Sequence, residues 1–313
     1  MLLSEIQQGE SKKLEFKAQL IDNKKLAKTI IAFSNTSGGK LLIGVDDQSQ
    51  VIGVDKQLVA ETIRNLERTR ENLGYDEEIN PKLTRSPEAE AVFFKDFEAY
   101  TGKIITENDL LNLKLLKPLD GQLTPTNAYG LFISLDYYQH GLLKCARFKG
   151  ITTSHFIDRK EIELPIHKQI EQAMAFAKSH VTLGSTLVDA RRIDRYVMPM
   201  DAVREAIANA VTHRDYSRQS SQITLNIFDN RLELTSPGEL VGMLDVSQIK
   251  QDRSEIRNRV VARILNKMGF IEAWGTGITR MMDLSQVWGV QPPVFEEIGQ
   301  SFRVTLFKDA DFC

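Results

Sequence analysis

The spacing of apolar residues predicts alternating helices and strands along the whole chain. Near the N-terminus, Leu14 and Phe16 alternate with charged residues, which is typical of a short strand with one buried face. The other elements predicted in this region are a helix beginning at Asp22, a strand over 40–46, a second strand over 51–54 and a helix over 59–73.

Longer helical patterns follow. Ser86 is predicted to cap a helix, because Pro87 comes next at the first helical position. Residues 119–126 are polar and contain Pro and Gly, which favours an irregular connection. The remaining predictions are helices over 106–113, 165–180, 257–268 and from about 278, and strands over 129–135, 142–149, 223–228, 231–235 and 301–307. These elements together predict an α+β fold class.

The most informative segment is the helix predicted over 201–216. Glu205 and Asn209 are four residues apart, so they share one face of this helix, and His213 falls on the same face. A carboxylate can orient or deprotonate a water molecule, and an amide oxygen can hold Mg²⁺, so the pair suits a nucleotide site. Taken alone, the same spacing also fits an ordinary solvated helix face.

Composition narrows the classes of protein. The chain has 313 residues, about two domains' worth, with 42% hydrophobic and 26% charged residues, which is typical of a globular protein. Its net charge of −2 means that any nucleic-acid contact must come from a local patch. Two distant cysteines argue against a disulfide scaffold or zinc knuckle. No apolar run approaches the ~18 residues of a membrane helix, and charge appears too early for a signal peptide, so we expect a cytoplasmic protein without membrane contact.

Four ordered sequence blocks lie in the C-terminal part of the chain. They are REAIANAVTHRDYS at 204–217, RLELTSPGEL at 231–240, RNRVVARIL at 257–265 and IEAWGTGITRM at 271–281. Together they resemble the C-terminal domain of the RecG-like family of ATP-binding regulators, a divergent member of the GHKL ATPase group. The resemblance spans about 86–307 and implies a GHKL-like α/β sandwich, with helices packed on a mixed sheet. We place this domain at 86–313.

The resemblance implies roles for individual residues. In GHKL proteins the first block supplies an acid that activates water and an Asn that binds Mg²⁺, so Glu205 is the catalytic candidate and Asn209 the metal ligand of a bound ATP. The other implied cofactor-binding residues are His213, Ser236, Gly238, Gly275, Thr276 and Gly277. Backbone N–H groups at a helix N-terminus do suit phosphate, although each glycine also fits a turn that requires positive φ.

The chain departs from the GHKL pattern in one block. These proteins usually carry an Asp that accepts a hydrogen bond from the adenine amine, whereas LTSPGEL at 234–240 contains none. Asp229 and Glu239 are the nearest substitutes in sequence. The resemblance therefore implies the fold more directly than it implies selectivity for adenine. The chain also lacks a G-x-x-x-x-G-K-[ST] loop. We therefore expect no helicase motor and at most a weak ATPase.

The N-terminal segment has a separate resemblance. GESKKLEFK at 9–17, IIAFSNTSGGKLLIGVDD at 30–47 and VIGV at 51–54 are similar to the Schlafen AlbA-type domain, a family assigned to DNA binding. We place this module at 1–85. It is shortened, because the Y-x-R-x-G segment that normally follows does not occur after NPKLTR at 80–85.

Two functions compete for this module. In one, a local basic surface contacts DNA phosphates without reading bases; its residues are Lys12, Lys13, Lys17, Lys24 and Lys25. In the other, Glu10, Glu15 and Asp46 bind a divalent metal, as three acids do in the RNA-cleaving Schlafen nucleases that the module resembles. Alternatively, Glu15 pairs with a lysine and Asp46 only shapes a turn.

The function that the two resemblances imply is an ATP-responsive, DNA-binding transcriptional regulator with nucleotide and DNA as partners. The rival interpretations are a metal-dependent nuclease, a slow GHKL-type ATPase and a scaffold with a degenerate nucleotide site. A homo-oligomer is compatible with the sequence, which does not identify the DNA target.

Overall fold

The computed structural model describes most of the C-terminal three quarters of the chain and parts of the N-terminal quarter. The described residues are 6–7, 9–11, 13–19, 29, 39–55, 74–134, 137, 141–188, 191–242, 244–251, 253–272 and 275–309. The chain divides into two compact units, Met1–Leu73 and Gly74–Cys313, and each is described by itself. The boundary predicted between residues 85 and 86 stays a prediction.

The first unit is built on a parallel strand pair. Strand β1 (Leu14–Lys17) runs beside β2 (Lys40–Ile43), with Leu14 opposite Lys40. Both strands were predicted, and both are confirmed. The buried residues of this unit are Ile6, Leu14, Phe16 and Val45. The helices predicted from Asp22 and over 59–73 lie outside the described residues.

The second strand predicted over 51–54 is wrong. Only Val51 pairs, through an isolated bridge to Val45. The amides of Ile52 and Gly53 both donate to the carbonyl of Gly44, at 2.8 and 3.1 Å. Gly44 itself has φ of 87°, a conformation that favours glycine. The segment therefore folds back onto the end of β2 instead of continuing as a strand.

The second unit alternates helices and strands, as the apolar spacing predicts, and the α+β fold class is confirmed. Its helices are α1 (Pro87–Thr101), α2 (Glu107–Asn112), α3 (Asn127–Phe132), α4 (Ile166–His180), α5 (Met200–His213), α6 (Val246–Ile249), α7 (Arg259–Lys267) and α8 (Gly277–Trp288). Its strands are β3 (Leu116–Leu119), β4 (Gln122–Pro125), β5 (Leu143–Phe148), β6 (Phe156–Ile162), β7 (Leu183–Val188), β8 (Arg191–Tyr196), β9 (Ile223–Ile227), β10 (Arg231–Pro237), β11 (Val294–Ile298) and β12 (Ser301–Phe307).

A six-stranded mixed sheet forms the centre of this unit, in the order β11-β12-β10-β9-β5-β6. Neighbouring strands are antiparallel except β5 and β9, which are parallel with Leu143 opposite Ile223. Helix α5 packs on β10 and β12, α4 packs on β5, and α8 packs on α5. The alternating residues Leu225, Leu232 and Leu234 are buried under these helices, as expected for strands with one covered face. This is the predicted arrangement of helices on a mixed sheet.

Local sequence signals explain where α1 begins and ends. The Ser86 hydroxyl accepts from the amide of Ala89 at 3.2 Å, and Pro87 occupies the first helical position, so the predicted N-cap is confirmed. Gly102 ends the helix in the left-handed conformation, with φ of 67°. The predicted buried residues Phe93 and Phe97 are 1% and 3% exposed.

Two predictions in this unit are wrong. Residues 129–135 were predicted as a strand, but α3 covers Asn127–Phe132, and all six of its residues are buried. A short continuous apolar run is compatible with either a buried strand or a buried helix, so periodicity could not decide. Residues 119–126 were predicted as an irregular connection, but β3 and β4 form a hairpin there. Asp120 and Gly121 turn this hairpin with φ of 49° and 79°, and a proline in each strand conceals the strand pattern.

Candidate functional site

Helix α5 has a buried apolar face and a second face that carries Glu205 and Asn209. The apolar side chains Ala202, Val203, Ala206, Ile207 and Val211 are nearly or fully buried, which fixes the rotation of the helix on the sheet. Glu205 is also buried, at 4% exposed, and the Asn209 side chain one turn later is close enough to act on the pKa of Glu205. The spacing of four residues therefore does bring the acid and the amide together.

The N-terminus of α8 lies directly against this pair. Gly277 is the first residue of α8. A Cβ atom at this position would lie 2.8 Å from Asn209 Nδ2 and 3.1 Å from Glu205 Cδ. A larger residue at this position would therefore displace the side chains of Glu205 and Asn209. The structure thus places two blocks that are about seventy residues apart in the sequence in contact with each other.

A cleft opens beside this contact. It encloses about 170 Å³, not counting its open mouth, so a nucleotide-sized ligand would extend beyond the enclosed part. Seven of the residues predicted for ATP line it: Glu205, Asn209, His213, Ser236, Gly238, Gly275 and Gly277. Thr276 does not line it, and its hydroxyl hydrogen bonds to Glu272 Oε2 at 3.3 Å. Apolar side chains form much of the wall, among them Leu234, Leu240, Val241, Ile249 and Met281.

The titratable groups of the cleft are strongly affected by burial. Burial raises the pKa of Glu205, while Arg204 and Arg280 act in the opposite direction. A carboxylate with a raised pKa is a stronger proton acceptor, as a general base requires. Burial, helped by Arg257, lowers the pKa of His213 to about 4, so its imidazole is neutral at physiological pH.

The residues considered as substitutes for the adenine-binding Asp have different positions. Asp229 pairs with Arg147 and accepts from the amide of Gly150 at 2.7 Å, and it is not among the residues that line the cleft. Glu239 does line the cleft. Ser236 lines it too and donates its hydroxyl hydrogen to the carbonyl of Ala210 at 2.9 Å, so its oxygen can only accept a hydrogen bond from a ligand.

Arg257 is a residue of the site that the sequence did not single out. Its guanidinium donates to the carbonyl of His213 at 3.0 Å and to the carbonyl of Glu239. Both of these residues line the cleft. Arg257 belongs to one of the four blocks that carry the family resemblance, but nothing in its spacing shows which carbonyls it reaches.

The three acids of the alternative metal cluster make separate local contacts. Glu10 Oε1 accepts from the amide of Phe16 at 2.7 Å, and Glu15 pairs with Lys17 at 2.6 Å. Asp46 Oδ1 accepts from two amides within its own turn, at 2.9 and 2.8 Å. Within the part of the chain that the structure describes, no group of three or more His, Cys, Asp or Glu side chains is arranged to hold a metal ion. The described contacts thus give this alternative no support.

The predicted basic surface is only partly described. Lys13 is exposed, whereas Lys17 is half-buried and engaged by Glu15, whose hydrogen bond raises the pKa of Lys17. Lys12, Lys24 and Lys25 lie outside the described residues. A DNA-binding role for these lysines stays a prediction.

Comparisons with known proteins agree with both resemblances. Residues 10–99 match the family model described as "Schlafen, AlbA_2", and residues 220–306 match the one described as "Putative ATP-dependent DNA helicase recG C-terminal". The second match begins after α5, so the roles of Glu205 and Asn209 stay predictions. No curated protein matches the chain in sequence.

A solved structure shows the same fold. The chain is similar to the DIP2311 protein from Corynebacterium diphtheriae, with a TM-score of 0.62 and 19% sequence identity over 95% of this chain and 75% of that one. At this identity the likeness concerns the fold alone. Among the helices described here, none has both the length and the apolar character needed to cross a bilayer.

Proposed function

Because the chain joins a Schlafen AlbA_2 segment to a RecG C-terminal segment, we propose that it is a nucleotide-binding regulator of transcription that binds DNA. ATP occupies the cleft of the second unit, and the first unit contacts DNA phosphates. The observation that carries this proposal is the meeting of Glu205, Asn209 and Gly277 in the wall of one cleft of the second unit.

The residues that meet in this wall fit Mg²⁺ and phosphate. Asn209 lies beside Glu205 in the wall of the cleft, and its side-chain amide carries an oxygen that can bind a cation. Asn209 would hold Mg²⁺ through that oxygen, and the ion would neutralise the charge of the phosphate oxygens. The first amides of α8, which begins at Gly277, lie where the helix dipole favours an anion.

The rest of the cleft suits the remainder of a nucleotide. Its apolar wall excludes water from a flat heterocycle. Glu205 can accept a proton from a water molecule near the phosphates, because burial raises its pKa. This last feature favours slow ATP hydrolysis as a second activity of the same site.

Calorimetric titration with ATP, with and without Mg²⁺, tests the proposal. We expect one site per chain whose affinity increases when Mg²⁺ is present. In parallel, DNA affinity measured by filter binding should differ between the ATP-bound and ATP-free protein. If ATP does not bind, or if ATP binds without changing DNA affinity, the regulator is contradicted.

An RNA cleavage assay separates the regulator from the nuclease. Wild type and Glu15→Ala are incubated with structured RNA and Mn²⁺. We expect neither protein to cleave, because Glu15 pairs with Lys17 in the structure. Cleavage by wild type that is lost in Glu15→Ala would establish the nuclease instead.

A further inference from the structure

Arg257 connects two backbone segments whose residues line the cleft. Its Nε donates to the carbonyl of His213, at the end of α5, and its Nη2 donates to the carbonyl of Glu239, in the loop after β10. Its Nη1 lies 3.8 Å from Asp215 Oδ2. One planar guanidinium therefore joins the end of a helix to the loop that follows β10.

The neighbouring residue strengthens the attachment at the helix end. The last carbonyls of a helix have no partners within the helix. Asn258 is fully buried and donates to the carbonyls of Thr212 and Arg214, at 2.8 Å each. The pair 257–258 therefore caps the end of α5 with side chains from a distant part of the chain.

The loop after β10 is also held by the β11–β12 turn. The amide of Gly238 donates to the carbonyl of Gln300 at 2.9 Å, and the amide of Leu240 donates to Glu297 Oε1 at 2.7 Å. Glu239 lies between these two attachments. The amide of Asp215 ties the start of this loop to the end of α5 by donating to the carbonyl of Pro237 at 2.8 Å, and Arg257 extends this attachment to Glu239.

The end of the cleft that Arg257 borders lies away from the Glu205–Gly277 contact. His213 is eight residues beyond Glu205 on α5, which corresponds to about 12 Å along the helix axis. A nucleotide with its phosphates at Gly277 reaches this end with its base. The separation of His213 and Glu239 therefore determines the space that the base occupies.

We propose that Arg257 is a positioning residue of the nucleotide site, which sets the width of the cleft where the base binds. This inference rests on the proposed function. Arg257 also affects its neighbour electrostatically, because its charge adds to burial in lowering the pKa of His213. A neutral imidazole next to the base can both donate and accept a hydrogen bond.

Lysine is the informative substitution, because it keeps the charge but cannot bridge two carbonyls in the planar geometry of a guanidinium. The matched control is Arg263→Lys, an exposed position on α7, the helix that follows Arg257. ATP and inorganic tripolyphosphate are titrated into both variants and wild type by calorimetry with Mg²⁺. Tripolyphosphate reports on the phosphate end alone.

We expect Arg257→Lys to weaken ATP binding about tenfold and to leave tripolyphosphate binding unchanged, while Arg263→Lys changes neither. Unchanged ATP affinity in Arg257→Lys would overturn the inference. Equal losses for ATP and tripolyphosphate would also overturn it, because they would show a general disturbance instead of a local one.

A second measurement does not depend on nucleotide. In Arg257→Gln, NMR titration should show the pKa of His213 rising above its wild-type value of about 4, because a neighbouring positive charge has been removed. If the folded variant keeps the wild-type pKa of His213, the contact is not functional, whether or not ATP binds. Failure of ATP to bind wild type, with this shift present, would instead identify the proposed function as the error.

Discussion

The close approach of Gly277 to Glu205 and Asn209 makes Gly277→Ala a discriminating substitution. Gly277 does not have a positive φ, so alanine fits its backbone and, by helix propensity alone, stabilises the helix by about 1 kcal/mol. The new methyl group, however, would lie 2.8 Å from Asn209 Nδ2 and 3.1 Å from Glu205 Cδ. Forcing a methyl group into such a space costs about 1–3 kcal/mol. The net loss of stability is therefore about 0–2 kcal/mol.

The effect on ligand binding should be larger than the effect on stability. To accommodate the methyl group, Glu205 and Asn209 must move away from the first turn of α8, where the proposal places the phosphates. We expect the Kd for Mg-ATP to rise at least about tenfold, which corresponds to about 1.4 kcal/mol. Calorimetry measures the affinity, and urea denaturation measures the free energy of unfolding.

The matched control is Gly141→Ala. The Cβ atom added there would lie 3.6 Å from its nearest neighbours, an ordinary contact, and Gly141 has no positive φ. This variant should bind Mg-ATP like wild type. If Gly277→Ala also binds Mg-ATP with wild-type affinity while remaining folded, the contact between the two blocks is not part of a ligand site, and the reasoning is refuted.

Three further predictions concern other parts of the chain. Asp76 is buried and caps α7 by accepting from the amides of Val260 and Val261. Burial raises the pKa of Asp76 from 3.8 to about 6, so the free energy of unfolding should be highest below pH 4, where Asp76 is neutral, and should fall as the pH rises through 6. Asp76→Asn removes this titration. Urea denaturation should show that its free energy of unfolding exceeds that of wild type by on the order of 3 kcal/mol above pH 6 and equals it below pH 4. Asn209→Ala should weaken ATP binding in Mg²⁺ but not in EDTA, and equal calorimetric losses in both would contradict the metal role. The double variant Lys12→Glu, Lys13→Glu should lower affinity for all DNA sequences alike and reduce the salt dependence, and an unchanged filter-binding curve would remove the basic surface.

The elements that the sequence predicts correctly carry signals within a few residues of each other. Ser86 and Pro87 mark the start of α1 because capping is a local hydrogen bond. The rotation of α5 follows from its own apolar stripe, so Glu205 and Asn209 could be placed on one face before any tertiary contact was known. Long, periodic helices with defined ends are therefore predictable.

The errors arise where the local signal is ambiguous. Helix α3 is buried on all sides, so its apolar residues show no period that distinguishes a helix from a strand. The β3–β4 hairpin depends on the left-handed conformations of Asp120 and Gly121, and few of its residues are buried. Burial by neighbouring elements decides the first case and backbone conformation at the turn decides the second, and a single sequence displays neither.

In the functional site, too, features with a local sequence signal could be predicted and contacts between distant segments could not. The approach of Gly277 to Glu205 joins residues 72 positions apart, and family resemblance, not spacing, suggested it. The contacts of Arg257 are to backbone carbonyls, which every residue possesses, so no residue type at the acceptor position could reveal them. Side-chain chemistry can be read from a sequence, whereas a contact with the backbone requires the fold.

The missing adenine-binding Asp has a consequence for selectivity that follows from Ser236. Its hydroxyl hydrogen is already donated to the carbonyl of Ala210, so towards the cleft its oxygen is a neutral acceptor. A hydrogen bond to a neutral group contributes about 0.5–1.5 kcal/mol, whereas one to a charged group contributes about 1.5–3 kcal/mol. Recognition of an amino group at Ser236 is therefore weaker than recognition by a carboxylate. Selection among bases then depends on Glu239, the substitute carboxylate that does line the cleft, and on the shape of the cleft beside it, where Arg257 holds the carbonyls of His213 and Glu239.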